Sequence, residues 1–262
     1  MEQAGSNFKQ EVIRHMGSRV TVMGFAPVER FGDAPEKHHP EDVCKGARTV
    51  VVFGITIPRG VVTSPSYNLH TLHRSYHTLY RHLDDLSLDL CSFIESKSDG
   101  RAVPVPSYAP MVFHGIEPWG IISLKHAAVR AGLGSFGRSG QMYHPLYGAL
   151  LRLGAVVTSE EMPGDPVREE DPCPKGCTTC MKACPAGALD GSGNFRKLIC
   201  MGHTIKHAIY PLALKDEKGM QNIERVINTA GYEYWIACNE CLRLCPNNRK
   251  KRKPEARDAG SF

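Results

Sequence analysis

The chain reads as an α/β fold followed by a smaller α+β module. Three observations predict it. Residues 49–57 form an almost unbroken β-branched and apolar run, as a strand buried on both faces does. Residues 72–96 place Leu72, Tyr76, Leu79, Leu83, Leu86, Leu90, Phe93 and Ile94 on one helical stripe. Eight of the ten cysteines then fall between Cys173 and Cys245.

Taken in order, Phe8, Val12, Ile13 and Met16 have helical spacing, and Gly17 supplies the stop. Residues 19–25 alternate as a strand. Residues 31–47, with Pro35, Pro40 and Gly46, read as a loop holding one short helical turn. The strand at 49–57 ends at Pro58 and Gly60, and the long helix follows. His70, His73 and His77 line one of its flanks, where a polar stripe on an amphipathic helix is expected. Residues 102–105 predict a short strand broken by Pro104. Residues 106–110 predict a turn carrying Tyr108, and residues 113–115 a loop carrying His114. A helix through Lys125 ends at Gly132, and residues 150–158 give a further strand. The polar, proline-rich stretch 163–172 places a domain boundary there, between 1–165 and 166–262.

Composition narrows the function. The 262 residues are 42% hydrophobic and 23% charged, typical of a globular protein, and no apolar run approaches a membrane span. The start of the chain has no apolar signal segment, so the expected location is the cytoplasm, with no membrane partner. Of the formal charge of +5, an amount equal to the whole lies in one run, Arg249, Lys250, Lys251, Arg252 and Lys253. The remainder is close to neutral, which disfavours a broad nucleic-acid face, and a solvated tail is the simpler reading of the run.

The cysteines carry the chemistry. Cys173, Cys177, Cys180 and Cys184 are followed by Pro185, and Cys238, Cys241 and Cys245 by Pro246; Cys200 stands alone between the groups. Three closely spaced thiolates wrap one cubane iron–sulfur cluster, while the fourth, turned away at a Cys-Pro step, reaches a second cluster. Crossing the fourth ligands predicts one [4Fe-4S] cluster on Cys173, Cys177, Cys180 and Cys245. The other falls on Cys184, Cys200, Cys238 and Cys241, in the manner of a bacterial ferredoxin. Zinc would use four of the eight thiols and leave both Cys-Pro steps unexplained. Cys200 precedes Cys238 by 38 positions, so a helix or hairpin must bring it back. Cys44 and Cys91 lie outside this region and are expected in the core.

Gly132, Gly134 and Gly137 spell G-x-G-x-x-G, but a helix precedes them and the next acid is Glu160. A dinucleotide turn needs a strand before it and an acid about 20 residues on, so that reading is poor. A loop without side chains still admits a large flat ligand.

The run from Lys125 to Gly137, the stretches at Tyr147–Gly148 and Arg152–Thr158, residues 75–83, and the two cysteine groups with Cys200 between them resemble the epoxyqueuosine reductase family. That family is akin to the reductive dehalogenases. The match covers residues 70–247. The resemblance implies a nitroreductase-like α/β sandwich holding cobalamin and a module with two [4Fe-4S] clusters feeding electrons to its cobalt. It implies corrinoid contacts at Lys125, Gly132, Leu133, Gly134, Gly137 and Arg138. It also implies an external donor of the ferredoxin or flavodoxin type and a small-molecule or modified-nucleoside substrate, with tRNA a less favoured partner. The chain departs from the family where a Val-Asp-Thr-Ala-Pro segment supplies an aspartate proton donor. Here Val105, Pro106, Ser107 and Tyr108 stand there, and no carboxylate lies between Arg101 and Ile116. Tyr108 and His114 are the candidates to take the role, Tyr108 ahead of His114. The expected function is a cobalamin-dependent iron–sulfur reductase. The alternative is an electron-transfer or corrinoid-activating protein without an organic substrate of its own.

Overall fold

The computed structural model describes residues 2–63, 69–108, 111–190, 195–206, 235–236 and 238–249. Helix α1 (Glu2–Met16) ends at the expected glycine, and Gly17–Arg19 continue as a 3-10 turn, so β1 (Val22–Pro27) starts later than the alternation from residue 19 implied. The expected loop holds one turn of helix, α2 (Pro40–Val43). His39 caps it, accepting from the Glu41 N–H while its own N–H donates to Asp42. Then come β2 (Thr49–Thr56), α3 (Arg59–Thr63), α4 (Leu69–Lys97) and β3 (Ala102–Val105). Next are β4 (Val112–His114), β5 (Glu117–Trp119), α5 (Leu124–Arg130), β6 (Ser135–Phe136), β7 (Met142–Tyr143) and β8 (Leu151–Thr158).

Two sequence expectations are corrected. Pro104 does not break its strand, because β3 lies at the edge of the sheet, where a missing N–H leaves no ladder bond unmade on the outer side. Residues 113–115 belong to a hairpin, with His114 opposite Glu117 and Gly115 at φ +62° reversing the chain.

The main sheet has the order β1-β2-β8-β3, every pair antiparallel. Side chains alternate between its faces. Val22, Ala26, Val50, Val52, Ala155 and Val157 meet Ala127 and Ala128 of α5. Phe25, Val51, Phe53 and Val156 meet Val12 and Met16 of α1 and Leu83, Leu86, Leu90 and Ile94 of α4. The result is helix on sheet on helix, and β2 is buried on both faces as its composition requires. Cys44 lies in the first of these cores and Cys91 in the second, both buried.

The cysteine region holds α6 (Thr179–Ala183), α7 (Lys197–Thr204), β9 (Ile205–Lys206), β10 (Trp235–Ile236), α8 (Glu240–Arg243) and α9 (Pro246–Arg249). Short helices α6 and α8 pack against each other, and each stops just before a Cys-Pro step. Strands β9 and β10 pair antiparallel, Ile205 opposite Ile236, so the chain that leaves α7 returns beside it. A third apolar cluster joins Ile57, Leu72, Tyr76, Ala149 and Leu150 to Leu242 and Cys245, drawing on both sides of the expected boundary. Asp165 is tied to β1 by an N–H donated to Phe25 O and a carboxylate accepting from Phe25 N, each at 2.9 Å. Of the basic run, residues 250–253 lie outside the described residues, as does the side chain of His70.

Candidate metal centre and the cavity beside it

The β9–β10 pairing closes the gap between Cys200 on α7 and Cys238 ahead of α8. The electrostatic neighbours of the thiols fall into two sets, with one contact across them between Cys180 and Cys241. Burial raises Cys173, and Asp171 and Cys245 add to the rise. Burial raises Cys180, with Cys173, Cys245 and Cys177 contributing. Burial raises Cys200, with Cys184 and Cys238 contributing. Cys241 is pushed up to about 12 by burial and then by Cys200, Cys238, Cys180 and Cys184. Residues 72 positions apart, Cys173 and Cys245, are thus neighbours, as are Cys184 and Cys238. Cys177 departs from the pattern: it is lowered, by the hydrogen bond between its thiol and Thr179.

Among the described residues no three His, Cys, Asp or Glu side chains converge closely enough to hold a single metal ion. A cubane sets a looser demand, because each of four thiolates meets a different iron corner. The donor set fits that group. The backbone N–H of Arg138 donates to Cys173 Sγ at 3.4 Å and that of Ala188 to Cys184 Sγ at 3.3 Å, contacts that stabilise thiolate charge.

Cys184, Cys200, Cys238 and Cys241 line a cavity of about 240 Å³ with Tyr76, Tyr80, Tyr108, Arg152 and Asn239. Asn239 is buried, its Oδ1 accepts from the Tyr76 hydroxyl at 3.2 Å, and its Nδ2 has no hydrogen-bond acceptor among the described residues. A buried amide N–H of that kind calls for an acceptor in the cavity, and a cluster sulfur is one. The Arg152 guanidinium lies 4.0 Å from the centre of the Tyr76 ring.

Tyr108 stands on this cavity, stacked on Tyr80 with centroids 5.4 Å apart. The turn before it is pinned from α4: Asp84 accepts from the Ser107 N–H at 2.8 Å, and the Ser107 hydroxyl donates to Tyr80 O at 3.0 Å. Burial raises the Asp84 carboxyl above its usual range, the Ser107 bonds opposing. His114 is elsewhere, on exposed β4, its Nε2 2.8 Å from that of buried His38. The structure therefore separates the two candidate proton donors.

The six residues expected at the corrinoid do not share one cavity among the described residues. Gly132 and Leu133 line a space of about 560 Å³ against β1, with Lys9, His144, Tyr147 and Arg168. Gly134 faces a different space of about 320 Å³ that reaches Cys173. Lys125 Nζ donates to Gly140 O at 2.9 Å, and Arg138 donates to Cys177 O at 2.7 Å. The glycines serve the chain's own packing: a Cβ on Gly132, already at φ +75°, would lie 2.3 Å from Pro166 O. One on Gly134 would lie 2.1 Å from Tyr143 O, and one on Gly137 2.5 Å from the Tyr143 ring. As a set, these residues do not fit a corrin ring.

Sequence reasoning gave no site role to Tyr76, Tyr80, Asp84 and Arg152. The first three lie at i, i+4 and i+8 on α4, a spacing that was legible. Arg152 is the one charge within β8, and a cation in a buried strand is itself a signal.

No family model matches the chain. It is 27% identical over 241 residues to an epoxyqueuosine reductase of Staphylococcus aureus, covering 86% of this chain and 55% of the relative. A Listeria monocytogenes epoxyqueuosine reductase is 25% identical over 228 residues, at 82% and 52% coverage. The chain resembles the epoxyqueuosine reductases. It spans about half the length of these two curated relatives. Among solved structures, an epoxyqueuosine reductase with a modified tRNA-Tyr stem loop superposes with a TM-score of 0.60 at 21% identity, over 95% of this chain and 67% of that one. A reductive dehalogenase whose structure suggests a mechanism for B12-dependent dehalogenation gives 0.57 at 16%, over 92% and 33%. At such identities the structural likeness extends to the mixed α/β fold of this reductase-like chain. No helix among the described residues is long and apolar enough to cross a membrane.

Proposed function

We propose that this chain is an iron–sulfur oxidoreductase of the epoxyqueuosine reductase kind, with a ferredoxin-like module at 166–262 set against an α/β domain at 1–165. The observation that carries it is that Cys184 of the first sequence group lines one cavity with Cys200, Cys238 and Cys241, while Cys245 of the second neighbours Cys173 and Cys180. Cys173, Cys177, Cys180 and Cys245 would hold one [4Fe-4S] cluster, and Cys184, Cys200, Cys238 and Cys241 the other. When bound, the clusters supply one-electron storage and a path from an external donor of the ferredoxin or flavodoxin type. The substrate class is an epoxide on a small molecule or modified nucleoside, as in the names of the relatives, with tRNA as its carrier.

Reducing an epoxide to an alkene takes two electrons and two protons and releases the oxygen as water, so a proton source must face the opened oxygen. Tyr108 Oη holds that proton beside the second thiol set, and Asp84 and Ser107 orient the turn that carries it. The six residues expected at the cobalamin do not share one cavity among the described residues, and no step is assigned to it. That mismatch favours, as a second reading, electron transfer without an organic substrate.

Anaerobic reconstitution should yield about eight irons per chain, and reduced protein should turn over an epoxide-bearing nucleoside, free or in a tRNA stem loop. Tyr108→Phe should keep its iron and lose at least ~100-fold in turnover, the scale usual for a general acid. Full iron with no turnover in the native chain would leave the electron-transfer reading standing. Four irons or fewer would sink the two-cluster reading.

A further inference from the structure

No step above uses Tyr143 of β7, yet it is buried against the first thiol set. Only 4% of it is exposed, and its hydroxyl lies 3.0 Å from that of Ser139, itself 2% exposed. It belongs to the same apolar cluster as Cys245. A Cβ on Gly137 would meet the Tyr143 ring at 2.5 Å and Cys173 Sγ at 3.2 Å, so ring and sulfur both crowd one glycine. Tyr143 also lines the space of about 320 Å³ that reaches Cys173. A polar group held this deeply needs its hydrogen bonds made, and a bulky phenol in place of a phenylalanine calls for a reason.

The bonds have one consistent direction. Burial raises the Tyr143 phenol, the charge of Cys245 and a hydrogen bond to its sulfur add to the rise, and the Ser139 bond opposes it. The phenol therefore keeps its proton. A thiolate that ligates iron can only accept, and a phenol has a single proton to give. Tyr143 then donates to Cys245 Sγ, and Ser139 donates to Tyr143 Oη. Among the described residues the Tyr143 hydroxyl bonds no sulfur of the second set.

A hydrogen bond to a ligating sulfur stabilises the reduced, more negative cluster over the oxidised one, and such bonds are a lever on its potential. We infer that the Tyr143 hydroxyl, aimed by Ser139, is a positioning group that acts through Cys245 and raises the reduction potential of the first cluster. The effect is local, because the hydroxyl meets one ligand of one cluster. A milder one-electron donor can then fill that cluster than four thiolates alone would admit. This inference rests on the two-cluster reading above and deepens it.

Redox titration followed by electron paramagnetic resonance tests it on the reconstituted full chain, with Cys184→Ala identifying the signal of the first cluster. Tyr143→Phe keeps the ring and removes only the hydroxyl. It should retain all its iron and shift the first cluster at least tenfold toward its oxidised form at a fixed solution potential. For a one-electron couple that is a fall of about 59 mV, with a much smaller change at the second cluster. Ser139→Ala leaves the phenol in place but frees it to turn, and should move the first cluster at least threefold in the same direction. If Tyr143→Phe loses four irons, Ser139→Ala decides: the threefold shift sustains the inference, and an unmoved first cluster overturns it. Loss of four irons in both variants, an unmoved first cluster in Tyr143→Phe, or equal shifts of both clusters would also overturn it. Absence of clusters from the native protein would instead overturn the reading on which it rests.

Discussion

Along β2, Val50, Val51, Val52 and Phe53 have no exposed surface, whereas of the eight thiols proposed as ligands only Cys180 and Cys245 are buried. The sheet region is held by side chains that need nothing but one another. Each large apolar residue it buries contributes about 1.5–3 kcal/mol. The described helices of the cysteine region have four to eight residues, too short to be stable alone, and its best-buried large apolar residue among those described, Leu242, leans on Tyr76 and Leu150 of the other region. Burial alone explains the first region. The second has the form expected of the proposed two-cluster scaffold, in which metal-binding free energy would act as folding free energy.

The largest test of that contrast is Cys184→Ala. It should remove the cluster of Cys200, Cys238 and Cys241, about half the iron, and leave that of Cys173, Cys177 and Cys180, with the thermal transition of the sheet unchanged. Spectra showing the opposite cluster lost would invert the crossed assignment. Next in size is Leu83→Ala on α4, a residue without exposed surface facing Phe53 and Val156. A loss of about 2–5 kcal/mol in denaturant unfolding is expected, with full iron retained. A smaller loss accompanied by missing iron would mean that the two regions fold as one unit.

The smallest test uses Cys91, whose thiol is pushed up to about 12 by burial, with Glu95 and Cys44 adding to it. The folded protein holds this proton more tightly than the unfolded chain, whose ordinary value is 9.0. Its contribution to stability is complete below pH 9 and is lost as the pH rises from about 9 toward 12. Cys91→Ala should flatten the stability profile in that window relative to the native chain and leave the iron content unchanged. An identical slope in both proteins would show that the thiol is not desolvated.

Both the long helix and the central strand were legible from residue order, because period and composition are local properties: the α4 stripe and the β-branched run at 49–56 need no partner to be recognised. The two cysteine groups were legible for the same reason, as spacing within a loop is what places thiolates around a cluster. The hairpin carrying His114 was missed because a three-residue strand has too few alternations to register. Pro104 misled because a proline in sequence does not say whether its strand is central or at an edge.

What residue order determined about this protein is the chemistry available to it: eight thiols in two groups, a glycine-rich turn, and a tyrosine where the resemblance leads one to expect an acid. What only the tertiary structure decided is adjacency. The return of β10 to β9 puts Cys238 near Cys200, the stacking of α6 on α8 mixes the two groups, and the antiparallel sheet carries Arg152 to the cavity that Tyr108 enters from a different loop. Charges and thiols far apart in the chain act on one another through space, over distances set by packing, and sequence separation carries no information about that distance.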